Sequence, residues 1–158
     1  MSAYDTDVAA WAEQQAGLLR RRASGRLPND AGLDWDNLAE EIEGVAASQK
    51  REIRSRLKCI CQHLLKWRHS KRPATRSWRL TLDEQREQLE ELFKDSPSLR
   101  RFAADALPEA FVNGRRAEER EAGPLKLPHD VCPWSLDEVL AIDFFPHRLR
   151  ARVPPQGS

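Results

Sequence analysis

The chain has 158 residues, about the length of one protein domain. Apolar residues make up 40% of it and charged residues 32%, and the formal net charge is +1 at pH 7. This composition excludes a disordered chain, and the longest apolar run, Val8–Ala12, is too short to cross a bilayer. The cysteines are Cys59, Cys61 and Cys132, and their small, odd number excludes a disulfide scaffold.

The first residues lack a basic segment followed by an apolar core, the pattern of a secretory signal. We therefore expect a cytoplasmic protein with free thiols and no association with a membrane. The sequence predicts a single helical domain over residues 1–147, followed by a disordered tail over residues 148–158.

Charge is distributed unevenly along the chain. Residues 1–49 carry a net charge of −5, residues 50–79 carry +10, residues 80–121 carry −4, and the remainder is neutral. A basic segment between acidic ones indicates either helices that neutralise one another or a surface for phosphates or an acidic partner. The overall balance favours mutual neutralisation, because nucleic-acid-binding domains usually have a basic excess.

Helical periodicity recurs along the whole chain, and alternating strand patterns are nearly absent. The first helix is predicted over Asp5–Ala23, with Gly25 and Pro28 ending it. The second begins after Asp34 or Asp36 and continues to about Trp67.

The second helix is predicted to be the central element. At about 100° per residue, its apolar residues from Leu38 to Trp67 fall in one stripe about 120° wide. We expect the other segments to pack against this stripe along its length. Gly44 falls opposite the stripe, where it is either tolerated on an exposed face or marks a break; one long helix is favoured.

Three further helices complete the prediction. One covers Ser77–Lys94, and the next follows Ser96 as N-cap and Pro97 and runs to about Glu121. Pro108 is expected to kink or interrupt it. The last begins with a capping box of Ser135 and Glu138 and ends at Pro146. The predicted fold is all-α: a helical bundle built on one long central helix with shorter flanking helices.

An ordered series of short motifs spans about Tyr4 to Pro146. The most specific is the segment Asn37–Glu43, with the sequence Asn-Leu-Ala-Glu-Glu-Ile-Glu. The others are Tyr4-Asp5, Trp11, Gln15-Ala16, Leu18-Leu19-Arg20, His63–Trp67, Ser77-Trp78, Gln85-Arg86, Ser96–Leu99, Cys132-Pro133 and Asp143–Pro146. In their order and spacing, these motifs resemble a bacterial family described as domain of unknown function 29. The resemblance implies a compact, mainly helical protein and no particular activity. Where the family has Glu-Thr-Gly-Leu, this chain has Glu121-Ala122-Gly123-Pro124, so it lacks a hydroxyl there.

One column of chemically active side chains flanks the apolar stripe of the central helix. Its members, about one turn apart, are Glu52, Arg56, Cys59, His63 and Lys66. His63, Cys59 and Arg56 are the candidate catalytic residues, since a half-buried histidine beside a thiol and a cation can act as a base or ligand. A histidine that bonds a facing helix at the edge of the core is the more frequent arrangement.

The sequence predicts no metal site and no cofactor. Glu40, Glu41 and Glu43 point in different directions on the helix and have no Glu-x-x-His partners. His129 and Cys132 have ligand spacing, but a tetrahedral zinc needs two further ligands that the sequence does not supply.

The sequence is compatible with three functions. The leading hypothesis is non-catalytic association with another protein or with a second copy, because so long a helix presents more surface than one small core needs. The alternative is nucleic-acid or phosphate binding through the basic block of residues 50–79, where Arg51, Arg54, Lys58 and His69 form an outward ridge. An enzyme that uses His63 is the third.

Overall fold

The computed structural model describes residue 4 and residues 8–26, 32–127 and 131–149, with the side chains of residues 8–13 outside the description. Within these ranges the secondary structure is helical and contains no strand. The five helices are α1 (Val8–Ala23), α2 (Trp35–His69), α3 (Arg76–Asp95), α4 (Ser98–Ala122) and α5 (Leu136–Leu140). The predicted all-α fold with a long central helix is confirmed.

Local capping explains where the helices start and stop. Gly25 has φ +71° and ends α1, a conformation that residues with a Cβ rarely adopt. Thr75 caps α3 by accepting a hydrogen bond from the Trp78 amide at 3.3 Å. The predicted side-chain cap at Ser96 is wrong: Pro97 is the N-cap of α4, and Ser96 contributes its backbone carbonyl to the Leu99 amide at 3.0 Å.

Helix α2 runs through Gly44 without a break, as favoured from the sequence. Its apolar stripe, however, is buried only from Ile53 onward, while Ile42 and Val45 are exposed. The expectation that the whole stripe is covered is therefore wrong. Helical periodicity records the spacing of apolar residues, but it does not show whether a partner packs against them.

The chain divides into two compact units, Met1–Ser48 and Gln49–Ser158. In the first unit, hydrogen bonds connect the motif residues Gln15 and Asn37 through Asp34. The buried Gln15 donates to the carbonyl of Gly32 at 3.4 Å and accepts from the amide of Asp34 at 2.9 Å. The Asp34 carboxylate in turn accepts hydrogen bonds from the amide and side chain of Asn37 at the start of α2.

The second unit contains a hydrophobic core of residues from α2, α3, α4 and α5, together with Trp134. Gly114 permits close packing of α4 against α2. A Cβ atom at this position would lie 2.8 Å from the carbonyl oxygen of Lys58 and 2.9 Å from both the Cβ of Cys61 and the amide nitrogen of Gln62. Any side chain at position 114 would therefore push the two helices apart.

Two helix limits differ from those expected. Pro108 does not interrupt α4, which continues from Ser98 to Ala122. Proline removes one backbone donor there, and its exposed position leaves the freed carbonyl accessible to water. Helix α5 ends at Leu140 rather than at Pro146, and a side chain of α3 binds backbone carbonyls in and after its last turn.

That side chain is Arg86, which is 1% exposed. Its guanidinium donates to the carbonyl oxygens of Val139 at 2.9 Å, Ile142 at 3.5 Å and Phe144 at 2.9 Å. Burial lowers the pKa of Arg86, although the charges of Asp83 and Asp143 act in the opposite direction. Arg86 thus satisfies carbonyls that a short helix leaves without intrahelical partners.

Aromatic contacts attach the segment after α5 to the core. Phe145 stacks on Trp67 with ring centroids 4.5 Å apart, and Phe144 meets Trp134 edge to face at 6.2 Å. Further along, Leu149 donates its amide to the carbonyl of Arg68 at 2.9 Å. None of the described helices is both long and apolar enough to span a membrane.

Candidate functional site

The N-terminal half of α2 presents an apolar face, formed by Trp35, Ile42 and Val45. These side chains are 52%, 68% and 61% exposed, respectively. Their spacings of seven and three residues place them on one side of the helix. The buried apolar side chains described within Met1–Ser48 are Leu18 and Leu33. This face is therefore the candidate interaction site of the first unit.

His63 and Cys59 lie one turn apart on α2. Nδ1 of His63 donates to the carbonyl oxygen of Cys59 at 2.9 Å, and the Cys59 sulfur lies 3.7 Å from the same nitrogen. Burial lowers the pKa of His63, while the bond to the carbonyl acts to raise it. Burial raises the pKa of the Cys59 thiol above its ordinary value. The arrangement favours a neutral imidazole beside a protonated thiol, and such a thiol is a poor nucleophile.

Arg56, the third catalytic candidate, bridges α2 and α3. It contacts Glu52 at 2.8 Å on its own helix and donates to the side-chain oxygen of Gln85 at 3.1 Å. These contacts hold the Arg56 guanidinium between α2 and α3. The motif residue Gln85 therefore contributes to the pairing of the two helices.

The four residues of the predicted basic ridge lie in different surroundings. Arg51 is exposed, Arg54 lies over the ring of Phe102 at 5.0 Å, and Lys58 lines a hollow of about 640 Å³ beside α4. His69 lies at the far end of α2 and lines a larger cleft. About 1.5 Å of rise per residue separates Arg51 from His69 by roughly 27 Å.

The larger cleft has a volume of about 1450 Å³ and lies in the second unit, where α2 and α4 end and α3 begins. Its wall includes Trp78, in the first turn of α3. The loop after α2 is held to the C-terminal segment, because Arg148 donates to the carbonyls of Ser70 and Arg72. We call this space the α2–α4 cleft.

Two carboxylates and one ammonium group are clustered in the α2–α4 cleft. Lys66 donates to Glu121 at 2.6 Å and lies 3.7 Å from Oε2 of Glu118. Glu118 is 2% exposed, and its Oε2 has no hydrogen-bond partner among the described residues. The Lys66 ammonium also lies 5.8 Å from the centroid of the Trp78 ring.

The same cluster separates the pKa values of the two carboxyl groups. Burial raises the pKa of Glu118 more than the charge of Lys66 lowers it. The hydrogen bond from Lys66 lowers the pKa of Glu121. Burial alone would lower the pKa of Lys66, but its hydrogen bond to Glu121 and the negative charge of Glu118 raise it. Glu121 is thus the charged partner of Lys66, whereas Glu118 is a buried hydrogen-bond acceptor.

The rim of the α2–α4 cleft is basic. Lys71, Arg72 and Lys126 are exposed there, and none of them forms an ion pair with a described residue. His147 and His69 also line the cleft, and Nε2 of His69 is buried without a hydrogen-bond partner in the described structure. The cleft therefore combines a basic opening with an acidic floor.

Our sequence reasoning did not identify Trp78, Glu118, Lys126 or Arg148 as site residues. A signal for Glu118 exists: it follows Phe111 and Gly114 on the buried face of α4, where a charged side chain is unusual. Trp78 and Glu121 stand inside the motifs of the family resemblance. Lys71 and Arg72 of the cationic rim lie within the predicted basic block of residues 50–79, whereas Lys126 comes from a separate loop after α4 and gives no signal in the sequence.

No group of side chains suited to holding a metal ion occurs in the part of the chain that the structure describes. Glu41 accepts a hydrogen bond from the hydroxyl of Tyr4 at 2.6 Å. His129, one of the residues with ligand spacing, lies outside the described residues. Cys132 donates to the carbonyl oxygen of Trp134 at 3.4 Å.

The described part of the chain is all-helical, and its candidate sites are an exposed apolar face on α2 and a cleft with a basic opening. The family model for "Domain of unknown function DUF29" matches residues 3–145, most of the chain, so the chain belongs to this family. No curated protein and no solved structure matches the chain. The family description assigns no activity, so function has to be inferred from the geometry.

Proposed function

We propose that the protein acts by non-catalytic association, and that its apolar face on α2 binds a second copy of this chain. The observation that carries this proposal is the exposure of Trp35, Ile42 and Val45 on one side of a helix. Burying such side chains is worth about 1.5–3 kcal/mol each. A face of this kind is typical of surfaces that other proteins cover.

The small size of the first unit favours burial of its apolar face by a second chain. Met1–Ser48 is close to the length below which a domain depends on disulfides, metals or oligomerisation. The cysteines of the chain all lie beyond this unit, and they are free thiols. Oligomerisation is one way to add buried apolar surface to such a unit.

Charge complementarity supports a second copy as the occupant. Residues 1–49 have a net charge of −5, and residues 50–79 have a net charge of +10. A second copy therefore supplies a basic segment that attracts the acidic segment of the first. Such attraction speeds and orients association, while apolar burial supplies most of the affinity.

The test is the mass of the protein in solution, measured by sedimentation or light scattering. The wild type should be a dimer, and the double variant Ile42→Glu with Val45→Glu should be a monomer with unchanged helix content. Leu80→Glu is the matched control, because Leu80 is 54% exposed on α3, outside this face. A monomeric wild type at high protein concentration would contradict the proposal, as would equal effects of the control and the double variant.

A second candidate function is nucleic-acid or phosphate binding by the basic block of residues 50–79. The observation in its favour is the hollow in which Lys58 lies beside Arg116 and Arg120 of α4. Retention on heparin and an affinity for DNA or RNA that falls steeply with salt would support this function. The variant Lys58→Glu should then weaken binding to all sequences alike.

Catalysis by His63 is the third and weakest candidate. His63 lines neither the α2–α4 cleft nor the hollow beside Lys58. Its hydrogen bond to the Cys59 carbonyl is the usual role of a histidine at the edge of a core.

A bacterial, cytoplasmic setting is part of the proposal, supported by the free thiols and the resemblance to a bacterial family.

A further inference from the structure

The α2–α4 cleft contains features that neither association nor core packing uses. Its volume of about 1450 Å³ exceeds the roughly 300–1000 Å³ of most small-molecule sites. Its residues belong to the second unit, whereas the apolar face on α2 belongs to the first. The cleft therefore needs an explanation of its own.

The floor of the cleft requires a hydrogen-bond donor. Glu118 is 98% buried, and its Oε2 accepts no hydrogen bond from a described residue. Lys66 lies 3.7 Å from that oxygen, beyond hydrogen-bond distance, and donates instead to Glu121 at 2.6 Å. A buried acceptor without a donor is unfavourable, so a ligand that donates an N–H there gains affinity.

The opening of the cleft requires an anion. Lys71, Arg72 and Lys126 have no ion-pair partner among the described residues. The two carboxylates of the cleft do not neutralise this rim, because Glu121 is paired with Lys66 and Glu118 lies buried at the floor. Three unpaired cations at one opening attract phosphate strongly.

An aromatic side chain lies in the wall of the cleft. Trp78 lines this space and is half-buried, with the Lys66 ammonium 5.8 Å from its ring centroid. A tryptophan beside a cationic groove is a platform on which a flat, heterocyclic ring stacks. Stacking of this kind is tolerant of the identity of the base.

We propose that the α2–α4 cleft binds a nucleoside phosphate whose base carries an amino group. The phosphate contacts Lys71, Arg72 and Lys126, the base stacks against Trp78, and the amino group donates to Glu118. A single ligand class thereby supplies the anion, the flat ring and the N–H donor that the cleft requires.

Calorimetric titration of the full chain tests each of these contacts. The probes are AMP, GMP and CMP, with adenosine and purine riboside 5′-monophosphate as partial ligands. At least one of the three nucleotides should bind. For that nucleotide, loss of the phosphate or of the amino group should each weaken binding about tenfold, equivalent to about 1.4 kcal/mol.

The protein variants separate a binding role from a structural one. Lys126→Glu should weaken all phosphorylated probes about tenfold, while the charge-matched control Lys94→Glu, an exposed lysine at the other end of α3, should not. Glu118→Gln should reduce the preference for AMP over purine riboside 5′-monophosphate. Trp78→Leu should weaken every nucleotide.

Three results would overturn the proposal. The first is the lack of binding of any of the three nucleotides at about 1 mM, a concentration that detects weak sites. The second is pyrophosphate binding as tightly as AMP, which would reduce the cleft to an anion patch. The third is binding of an oligonucleotide without binding of mononucleotides, which would assign the cleft to nucleic acid instead.

Discussion

Gly114 permits a close approach of α4 to α2, and adding one methyl group tests that packing. In Gly114→Ala, the new Cβ would lie 2.8–2.9 Å from three atoms of α2, two of them backbone atoms that cannot rotate away. Ordinary contact begins at 3.4 Å, so α4 has to withdraw by about 0.6 Å. Overpacking of this kind costs about 1–3 kcal/mol, and the better helix propensity of alanine returns up to about 1 kcal/mol.

We therefore expect Gly114→Ala to destabilise the protein by about 1–2 kcal/mol, with a fall in Tm of roughly 2–8 °C. Urea unfolding followed by circular dichroism measures the change. The control is Gly44→Ala, in which the new Cβ meets nothing within 4 Å on an exposed part of α2. This control should stabilise the protein by about 0.5–1 kcal/mol. Changes of the same sign in both variants would refute the packing argument.

Three further predictions concern buried polar groups. Arg86→Met leaves three carbonyls without their donor and should destabilise the protein by at least about 2 kcal/mol, with faster amide exchange around α5. Because the pKa of Glu118 is raised, this residue stabilises the fold most at pH values below its ordinary pKa of 4.5, and the stabilisation is lost as the pH rises. Glu118→Gln should therefore be more stable than the wild type at pH 7 and equally stable near pH 4. The pKa values of His63 and His69 are lowered, so the stability they contribute above pH 6.5 is lost as the pH falls. Replacing both residues by asparagine should make the free energy of unfolding depend less on pH below 6.5.

Much of the fold follows from local rules. The capping box of Ser135 and Glu138 forms as predicted, with the Ser135 amide 2.8 Å from the Glu138 carboxylate. The long helix follows from its periodicity, even across Gly44. The end of α5 could not be predicted from local rules, because Arg86 of α3 binds the carbonyls of Val139, Ile142 and Phe144, a contact that only the folded chain provides.

The candidate sites were harder to predict because they depend on which residues meet. Lys66 was visible in the sequence as one member of a column on α2, but its partners Glu118 and Glu121 come from α4, more than fifty positions later. Arg56 likewise finds Gln85 on another helix. A helical projection places residues around one axis and gives no information about the helix that faces them.

Several family motifs owe their positions to structure rather than chemistry. Gln15 and Asn37 organise the start of α2, and Arg86 with the Asp143–Pro146 segment secures the end of α5. The motif residue Trp78 and the turn after Glu121 instead line the α2–α4 cleft. This turn is also where the chain departs from the family's Glu-Thr-Gly-Leu pattern, so the departure changes a cleft wall rather than the core.

The two proposals depend on different side chains, and each supplies a control for the other. Association depends on Ile42 and Val45, whereas nucleotide binding depends on Lys126 and Trp78. If both proposals hold, the double variant Ile42→Glu with Val45→Glu should be monomeric and still bind AMP, GMP or CMP as the wild type does. Lys126→Glu should remain dimeric with weakened nucleotide binding. Loss of nucleotide binding in the monomeric double variant would instead indicate global unfolding or a ligand site that requires the dimer. The helix content distinguishes these two explanations, because it falls only if the variant unfolds.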